Sequence, residues 1–210
     1  MSKTANPNKA KLFSLFTVSS SDEDVRLIKR IQKGDEAAFE EFYMKYRKPL
    51  FSYFSGHASS ASLAEELLQE TFLKVAQNCA GFAFESKVST WLWTIARNKM
   101  IDHWRSAQHQ QDQLSESLTT DEGEDHDLVA EIDSAESILI QQSQTKAVEK
   151  CLAELAPNQK DAVLLRSHSE LSYDEIARTL SLSVSAIKSL LVRAKDKLMN
   201  CLKRGGHHEA

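Results

Sequence analysis

Apolar residues recur at steps of three and four along most of the chain, which is the pattern of amphipathic helices. The strongest apolar stripe begins near Asp35 and runs from Phe39 to Phe54. Pro49 lies inside this stripe, where we expect it to bend the helix or remove one backbone hydrogen bond. The chain has only six glycines and three prolines and few β-branched runs. The pattern therefore predicts an all-α protein.

Three further helices are predicted in the first half, at about 22–32, 62–78 and 89–105, with a loop over 81–88. The helix 62–78 points Leu67, Leu68 and Phe72 inward and shows an acidic opposite face. That face is either a plain solvated surface or a patch offered to a basic partner.

The stretch 172–204 predicts a short helix, a tight turn and a longer helix. Ser172 and Glu175 have the spacing of a capping box, and Ser183 can cap the second helix. Six Lys or Arg and one acid, Asp196, lie between Lys188 and Arg204. This arrangement is typical of a helix-turn-helix whose second helix enters a DNA major groove. The alternative interpretation is an ordinary helical pair with a solvated basic face.

Charge divides the chain of 210 residues more clearly than its net value of −4 suggests. Residues 106–145 contain ten Asp or Glu and no Lys or Arg. This polar segment, poor in aromatic residues, is predicted to be a poorly ordered linker between two folded halves. The predicted organisation is a flexible tail at 1–21, a first domain at 22–105, the acidic linker, a second domain at 146–204 and a tail at 205–210.

Other classes of protein find little support in the sequence. No stretch approaches the roughly 20 apolar residues of a membrane span, and the short patch 12–16 lacks a signal-peptide cleavage site. There is no phosphate-binding glycine loop, no metal-ligand spacing and no nucleophile with a placed base. We therefore expect neither an enzyme nor a cofactor. Cys79, Cys151 and Cys201 are predicted to be buried thiols in a reducing cytoplasm.

The predicted helix 89–105 combines all three tryptophans with basic and imidazole side chains: Trp91, Trp93, Trp104, Arg97, Lys99, His103 and Arg105. Aromatic rings beside cations can stack unpaired bases and neutralise phosphates, at roughly 1–3 kcal/mol per base. Burial in the core is the simpler interpretation for any single tryptophan.

Two blocks of this sequence resemble one known family. RIQKGDEAAFEEFYMKYR, LAEELLQETFLKVAQN and STWLWTIARNKMIDHWR resemble conserved region two of bacterial sigma factors of the extracytoplasmic-function (ECF) type. The segment LAELAPNQKDAVLLRSHSELSYDEIARTLSLSVSAIKSLLVRAKDKL resembles region four of the same family. The resemblance implies a non-enzymatic transcription initiation factor that binds RNA polymerase core through its β and β′ subunits. It also implies binding of promoter DNA and an anti-sigma factor as a partner.

The resemblance also implies roles for individual residues. The polymerase-binding face would be Glu65, Glu66, Leu68, Gln69, Glu70 and Phe72. The melted −10 element would be held by Lys74, Phe82, Phe84, Glu85, Ser86, Lys87, Trp91, Asn98 and Arg105. The loop 82–88 together with Trp91 and Asn98 would form a pocket for a flipped base. The duplex −35 element would meet Ser185, Lys188, Ser189, Val192 and Arg193.

The sequence departs from the family pattern in three places. Phe84 and Lys87 are not obvious replacements in the variable base-binding loop. Ser181 stands where many members have Gly, and Leu190 stands where many have Arg. Leu190 is expected either to pack or to contact a regulator. The acidic linker would thread through the polymerase cleft or serve as a simple spacer. The alternative function is a stand-alone helix-turn-helix regulator.

Overall fold

The computed structural model describes residues 22–114 and 145–204, and all regular structure within these ranges is α-helical. The first range contains α1 (Asp22–Ile31), α2 (Glu36–Ser55), α3 (Ala61–Cys79) and α4 (Val88–Leu114). The second contains α5 (145–153), α6 (Pro157–His168), α7 (Tyr173–Leu180) and α8 (Val184–Arg204). The predicted all-α fold with two helical domains is confirmed.

The first domain is a four-helix bundle whose helix starts are fixed by local caps. The Asp35 side chain accepts a hydrogen bond from the Ala38 amide, and Ser60 caps α3 through the Leu63 amide. Helix α2 continues through Pro49, which is itself buried. The predicted apolar stripe forms the core, where Phe42, Leu50 and Phe54 are fully buried.

The second domain has the predicted helix-turn-helix. The Ser172 hydroxyl accepts from the Glu175 amide at 3.3 Å, and the Glu175 carboxylate accepts from the Ser172 amide at 2.8 Å. Ser183 caps α8 by accepting from the Ala186 amide. Ser181, in the turn, has φ of 54°, a left-handed conformation that glycine adopts without steric cost. The capping box and the second cap are therefore confirmed.

The prediction of three buried thiols was wrong for two of the cysteines. Cys79 is free and buried, whereas Cys151 and Cys201 form a disulfide between α5 and α8, with a Cα–Cα distance of 5.7 Å. Their positions are 50 residues apart, so only the packing of α5 against α8 brings them together.

The predicted tails lie outside the described residues, as does most of the predicted linker. Helix α4 extends to Leu114, beyond the boundary predicted at Arg105.

The two domains pack directly on each other. Helix α6 contacts α2, and α7 contacts α4. The apolar residues of both domains belong to one continuous buried cluster, in which Leu164 and Ile176 join the core of the first bundle. The contact therefore has an apolar interior rather than a purely polar one.

Candidate nucleic-acid interface

The loop between α3 and α4 is held in place by a residue distant in sequence. The Gln32 side-chain amide donates to the backbone carbonyls of Cys79 at 2.9 Å and Phe82 at 3.0 Å. The Cys79 carbonyl belongs to the last residue of α3 and the Phe82 carbonyl to the loop beyond it, where backbone acceptors lack helical partners. Gln32 thus ties the start of this loop to the end of α1. A single polar residue at a helix end carries no distinctive signal, so the role of Gln32 is not apparent from the sequence.

The loop and the start of α4 enclose an open cleft of about 680 Å³. The Phe82 ring stacks on Trp91, with centroids 4.6 Å apart and planes inclined by 29°. Four of the predicted −10 residues line this cleft together with Gln77, Asn78, Gly81 and Ala83: Phe82, Glu85, Ser86 and Trp91. The cleft has the volume of a small-molecule site, and its aromatic wall with polar neighbours suits a planar, hydrogen-bonding ligand such as a nucleobase.

The remaining predicted −10 residues do not line the cleft. Phe84 has φ of 59° and packs edge-on against Phe82, with Lys29 5.5 Å above its ring. The Lys87 ammonium lies 3.0 Å from the Glu175 carboxylate on α7. Exposed positions outside the cleft are occupied by Lys74, Asn98 and Arg105.

The tryptophans of α4 divide between core and surface. Trp93 is buried, Trp91 faces the cleft and is half-buried, and Trp104 packs edge-on against His57. Burial in the core therefore applies to Trp93, whereas Trp91 keeps part of its ring on the wall of the cleft.

Helix α8 presents its predicted DNA-facing side to solvent. The inward positions are Ile187 and Ala194, which are buried, and Leu191, which is partly buried. All five predicted −35 residues are exposed on the other side: Ser185, Lys188, Ser189, Val192 and Arg193. Val192 is 61% exposed. An exposed valine between two cations suits a surface that meets both thymine methyl groups and phosphates.

Leu190 is one of the apolar residues that pack against the core. Its side chain is partly buried and contacts the hydrophobic cluster. The apolar residue at this position therefore contributes to the core of the second domain.

The predicted polymerase-binding face of α3 is only partly exposed. Glu65, Glu66 and Gln69 are exposed, and Glu70 pairs with Lys99 at 3.0 Å. Leu68 and Phe72 are buried, and the Phe72 ring packs on Tyr43 with centroids 4.7 Å apart. Burial leaves these two residues little surface to offer a partner, because their side chains face α2 and the core.

Leu73 is the apolar residue that α3 does expose, at 61%. Sequence analysis passed over it because it lies one position beside the inward stripe. Its side chain lies one helical turn from Gln69 and Glu70 on the surface of α3.

Burial and charge compete at Glu175, which joins the capping box to the other domain. Burial raises the pKa of this carboxyl group, but hydrogen bonds from Ser172 and the charge of Lys87 lower the pKa more, so it falls below its usual value. The carboxylate is therefore charged at neutral pH.

The described residues contain no group of three or more His, Cys, Asp or Glu side chains placed to hold a metal ion. Within the same ranges, none of the helices combines the length and hydropathy of a membrane span.

Comparison with known families matches both domains. Residues 42–110 match the model of sigma-70 region 2, and residues 145–198 match that of sigma-70 region 4. These two blocks cover more than half of the chain and contain the cleft and most of α8.

Two curated relatives span most of the chain. The chain is 30% identical over 185 residues to the ECF RNA polymerase sigma factor BldN of Streptomyces coelicolor, covering 88% of this chain and 67% of that protein. It is 27% identical over 187 residues to the RNA polymerase sigma-H factor of Pseudomonas aeruginosa, covering 88% of this chain and 96% of that protein.

Solved structures share the fold. CnrH, in complex with the cytosolic domain of CnrY, matches with a TM-score of 0.64 at 20% identity, covering 87% of this chain and 99% of that one. The sigma factor RpoE of Bartonella quintana, in complex with the anti-sigma factor NepR, matches with a TM-score of 0.63 at 23% identity. This match covers 79% of this chain and 96% of that one.

A helical bundle with an aromatic cleft, followed by a helix-turn-helix with a basic outer face, is the two-part architecture of a promoter-recognition protein. The chain belongs to the sigma-70 family of RNA polymerase sigma factors, within its ECF group.

Proposed function

We propose that this protein is an alternative sigma factor that binds RNA polymerase core, directs it to specific promoters and helps melt the −10 region. The observation that carries the proposal is the presence, in one chain, of both sigma-70 blocks together with their exposed surfaces. The cleft beside Trp91 and the polar face of α8 are both open to solvent in the free protein.

The cleft beside Trp91 accepts one base of the melted −10 element. Extruding a base from a duplex costs a few kcal/mol. Stacking on an aromatic ring returns roughly 1–3 kcal/mol, and the polar groups of Glu85 and Ser86 can bond the base edge. Asn98 lies two helical turns beyond Trp91 on α4, about 10 Å further along the axis. We place Asn98, Lys74 and Arg105 on the path of the strand rather than in the base pocket.

Helix α8 reads the −35 element from the major groove. Lys188 and Arg193 reach guanine edges or phosphates, Ser189 serves either, and Val192 contacts a thymine methyl group. Each well-placed bidentate base contact is worth about 1–3 kcal/mol of discrimination.

The polymerase surface consists of Glu65, Glu66 and Gln69 with the exposed Leu73 beside them. Acidic groups at the rim speed association with a basic partner, while the apolar centre supplies affinity. Leu68 and Phe72 support this face from beneath.

An anti-sigma factor is the expected regulator, and the expected location is the cytoplasm, where RNA polymerase works. The related structure of CnrH was solved with the cytosolic domain of CnrY bound, and that of RpoE with the anti-sigma factor NepR bound. No cofactor is required for any of these interactions.

Promoter-dependent transcription tests the proposal. Purified core polymerase is incubated with a pool of upstream regions from the source genome, with and without the protein. Specific transcripts that require both components support the sigma function. Tight binding of the protein alone to a palindromic duplex, with no transcript, supports the stand-alone regulator instead.

A matched pair of variants tests whether the outer side of α8 binds the −35 element. Arg193→Ala removes a cation from the outer side of α8, and Lys203→Ala removes one near the end of the same helix. We expect the first to reduce transcription from promoters with a −35 element at least fivefold, by loss of about 1 kcal/mol or more. The second is expected to have little effect. Equal effects would contradict the assignment.

A further inference from the structure

One acidic side chain in the wall of the cleft has no partner of opposite charge. Glu85 lines the cleft and is exposed. Among the residues that the structure describes, its carboxylate forms neither a hydrogen bond nor an ion pair. Lys87, the nearest cation in sequence, pairs with Glu175 on α7 at 3.0 Å instead. A ligand in the cleft therefore meets an uncompensated carboxylate.

The last turn of α3 adds to this negative character. Gln77 and Asn78, which belong to that turn, form another part of the cleft wall. The C-terminal end of a helix carries a partial negative charge that basic residues in its last turn can offset, and the last turn of α3 contains none. The cleft therefore attracts groups that donate hydrogen bonds and repels groups that can only accept them.

The other polar side chains of the cleft do not discriminate between donors and acceptors. The amides of Gln77 and Asn78 each contain an N–H donor and a carbonyl acceptor, and the Ser86 hydroxyl also serves either way. Each of these groups can rotate to suit whichever base is present. Glu85 differs, because a carboxylate accepts hydrogen bonds and donates none. Selectivity in this cleft therefore depends mainly on Glu85.

The aromatic wall supplies affinity without preference for a particular base. Phe82 stacks on Trp91, and both rings line the cleft. An unpaired base can stack on such rings whatever its identity, because every base has a π-face. What distinguishes one base from another is the hydrogen-bonding edge that it presents to Glu85.

The four bases differ in what they offer to a carboxylate. Adenine, cytosine and guanine each carry an exocyclic amino group, which donates hydrogen bonds. Thymine has no amino group, and its pairing edge has one ring N–H flanked by two carbonyl oxygens. A carboxylate that accepts from this N–H is held close to oxygen atoms that also carry partial negative charge. Thymine is therefore the base that Glu85 accommodates least well.

We propose that Glu85 determines the base specificity of the cleft, selecting an unpaired base with an exocyclic amino group and rejecting thymine. The inference rests on the proposed function, since it takes the ligand to be a base of the melted −10 strand. The selectivity comes from an unfavourable contact with the wrong base as much as from a favourable contact with the right one. One such contact corresponds to a preference of at least about fivefold.

The test uses the full chain bound to purified core polymerase, on a promoter identified by the transcription experiment. The non-template strand is mismatched across the −10 element, so its bases are unpaired in every template and substitutions do not change the cost of melting. Each position in turn carries thymine, uracil, cytosine, adenine or purine, which is adenine without its amino group. Holoenzyme binding and transcript yield are measured for each template.

We expect one position at which thymine weakens binding at least about fivefold relative to cytosine or adenine. Uracil should be rejected like thymine, because it lacks only the methyl group, and purine should be rejected because it lacks the amino group. Glu85→Gln keeps the side-chain size but can both donate and accept, so the preference should nearly disappear. Glu40→Gln, at an exposed position of α2 outside the cleft, removes the same charge and should keep the wild-type preference.

The inference and the proposed function fail in different ways. Equal binding of thymine and cytosine at every position by the wild type overturns the inference, and so does a preference that Glu85→Gln retains. Weak binding of thymine with strong binding of uracil would show exclusion of the methyl group, which also overturns it. In each of these cases transcription continues and the proposed function stands. Absence of transcripts from every template contradicts the proposed function itself, and the inference fails with it.

Discussion

The proposed −35 face and the proposed −10 cleft are formed in different ways. Helix α8 owes its position to neighbours in sequence, namely the capping Ser183 and an apolar stripe through Ile187 and Ala194. The cleft instead depends on Gln32, which reaches carbonyls 47 and 50 residues away. A surface formed by one helix can be predicted from the periodicity of the sequence. A surface formed by a loop can be predicted only when the residues that hold the loop in place are known.

The largest expected effect concerns the disulfide, which supports only the second domain. Replacing Cys151 and Cys201 by serine opens a cross-link between positions 50 residues apart and should lower the free energy of unfolding by about 4 kcal/mol. Circular dichroism during urea denaturation reports both domains. Tryptophan fluorescence reports the first, which contains Trp91, Trp93 and Trp104.

We expect the circular-dichroism transition to move to lower urea and to precede the fluorescence transition. A Cys79→Ser variant is the control, since that thiol is free and buried outside the cross-link. In a reducing cytoplasm such pairs exist mainly as thiols unless they are redox-active. Adding dithiothreitol to the wild type should therefore reproduce the double variant. Unchanged transitions in both experiments would show that the bond contributes nothing.

Removal of the aromatic wall should weaken DNA binding in the cleft without affecting DNA binding by α8. Trp91→Ala deletes the ring that stacks on Phe82 and should weaken binding of single-stranded −10 DNA by the polymerase complex by about 1–3 kcal/mol. Binding to a duplex −35 fragment should stay the same. Trp91→Phe keeps a ring and should recover most of the loss. Equal losses for both fragments would indicate general damage.

Substitution of Gln32, which does not line the cleft, should have a smaller effect on the binding of −10 DNA. Gln32→Leu keeps the approximate side-chain size but removes two hydrogen bonds, each worth about 0.5–1.5 kcal/mol. We expect weaker −10 binding and faster amide exchange in the loop 81–87, with no change in α8. Gln69→Leu makes the same substitution at an exposed position of α3 and serves as the control for loop exchange. An unchanged loop in Gln32→Leu would show that Gln32 does not position it.

The smallest expected effect lies in the turn before α8. Ser181 has φ of 54°, and relieving a left-handed backbone with Ser181→Gly should stabilise the second domain by up to about 1 kcal/mol. Thermal denaturation measures the change. Ser185→Gly places the same residue within the first turn of α8 and should destabilise the helix by up to about 1 kcal/mol. A loss of stability in Ser181→Gly would contradict the turn geometry.

Much of the second domain could be predicted because its determinants are local. Ser172 and Glu175 have the spacing of a capping box, and the structure contains both of its hydrogen bonds. The resemblance to region four implied the five exposed residues of α8, and helical spacing is consistent with their exposure. The spacing of three and four residues that predicted the apolar stripe of α2 also predicted which face of this helix is buried. Local hydrogen bonds and periodicity act over a few residues, and the sequence displays them directly.

Contacts between distant segments could not be predicted in this way. Nothing near Asp161 in sequence indicates that Tyr53, His57 and Arg97 would surround it. The disulfide was missed for the same reason. Leu68 and Phe72 were assigned to the contact face of α3, although the packing of α3 in the bundle buries both side chains.

The sequence by itself determined the helices, their caps, the polar face of α8 and the family. Tertiary structure decided the cleft, the disulfide and the contact between the domains. The physical reason is the separation along the chain between the residues that specify each feature. A cap or an amphipathic stripe is specified within one or two helical turns, whereas a buried carboxylate or a disulfide acquires its role only from atoms that folding brings to it.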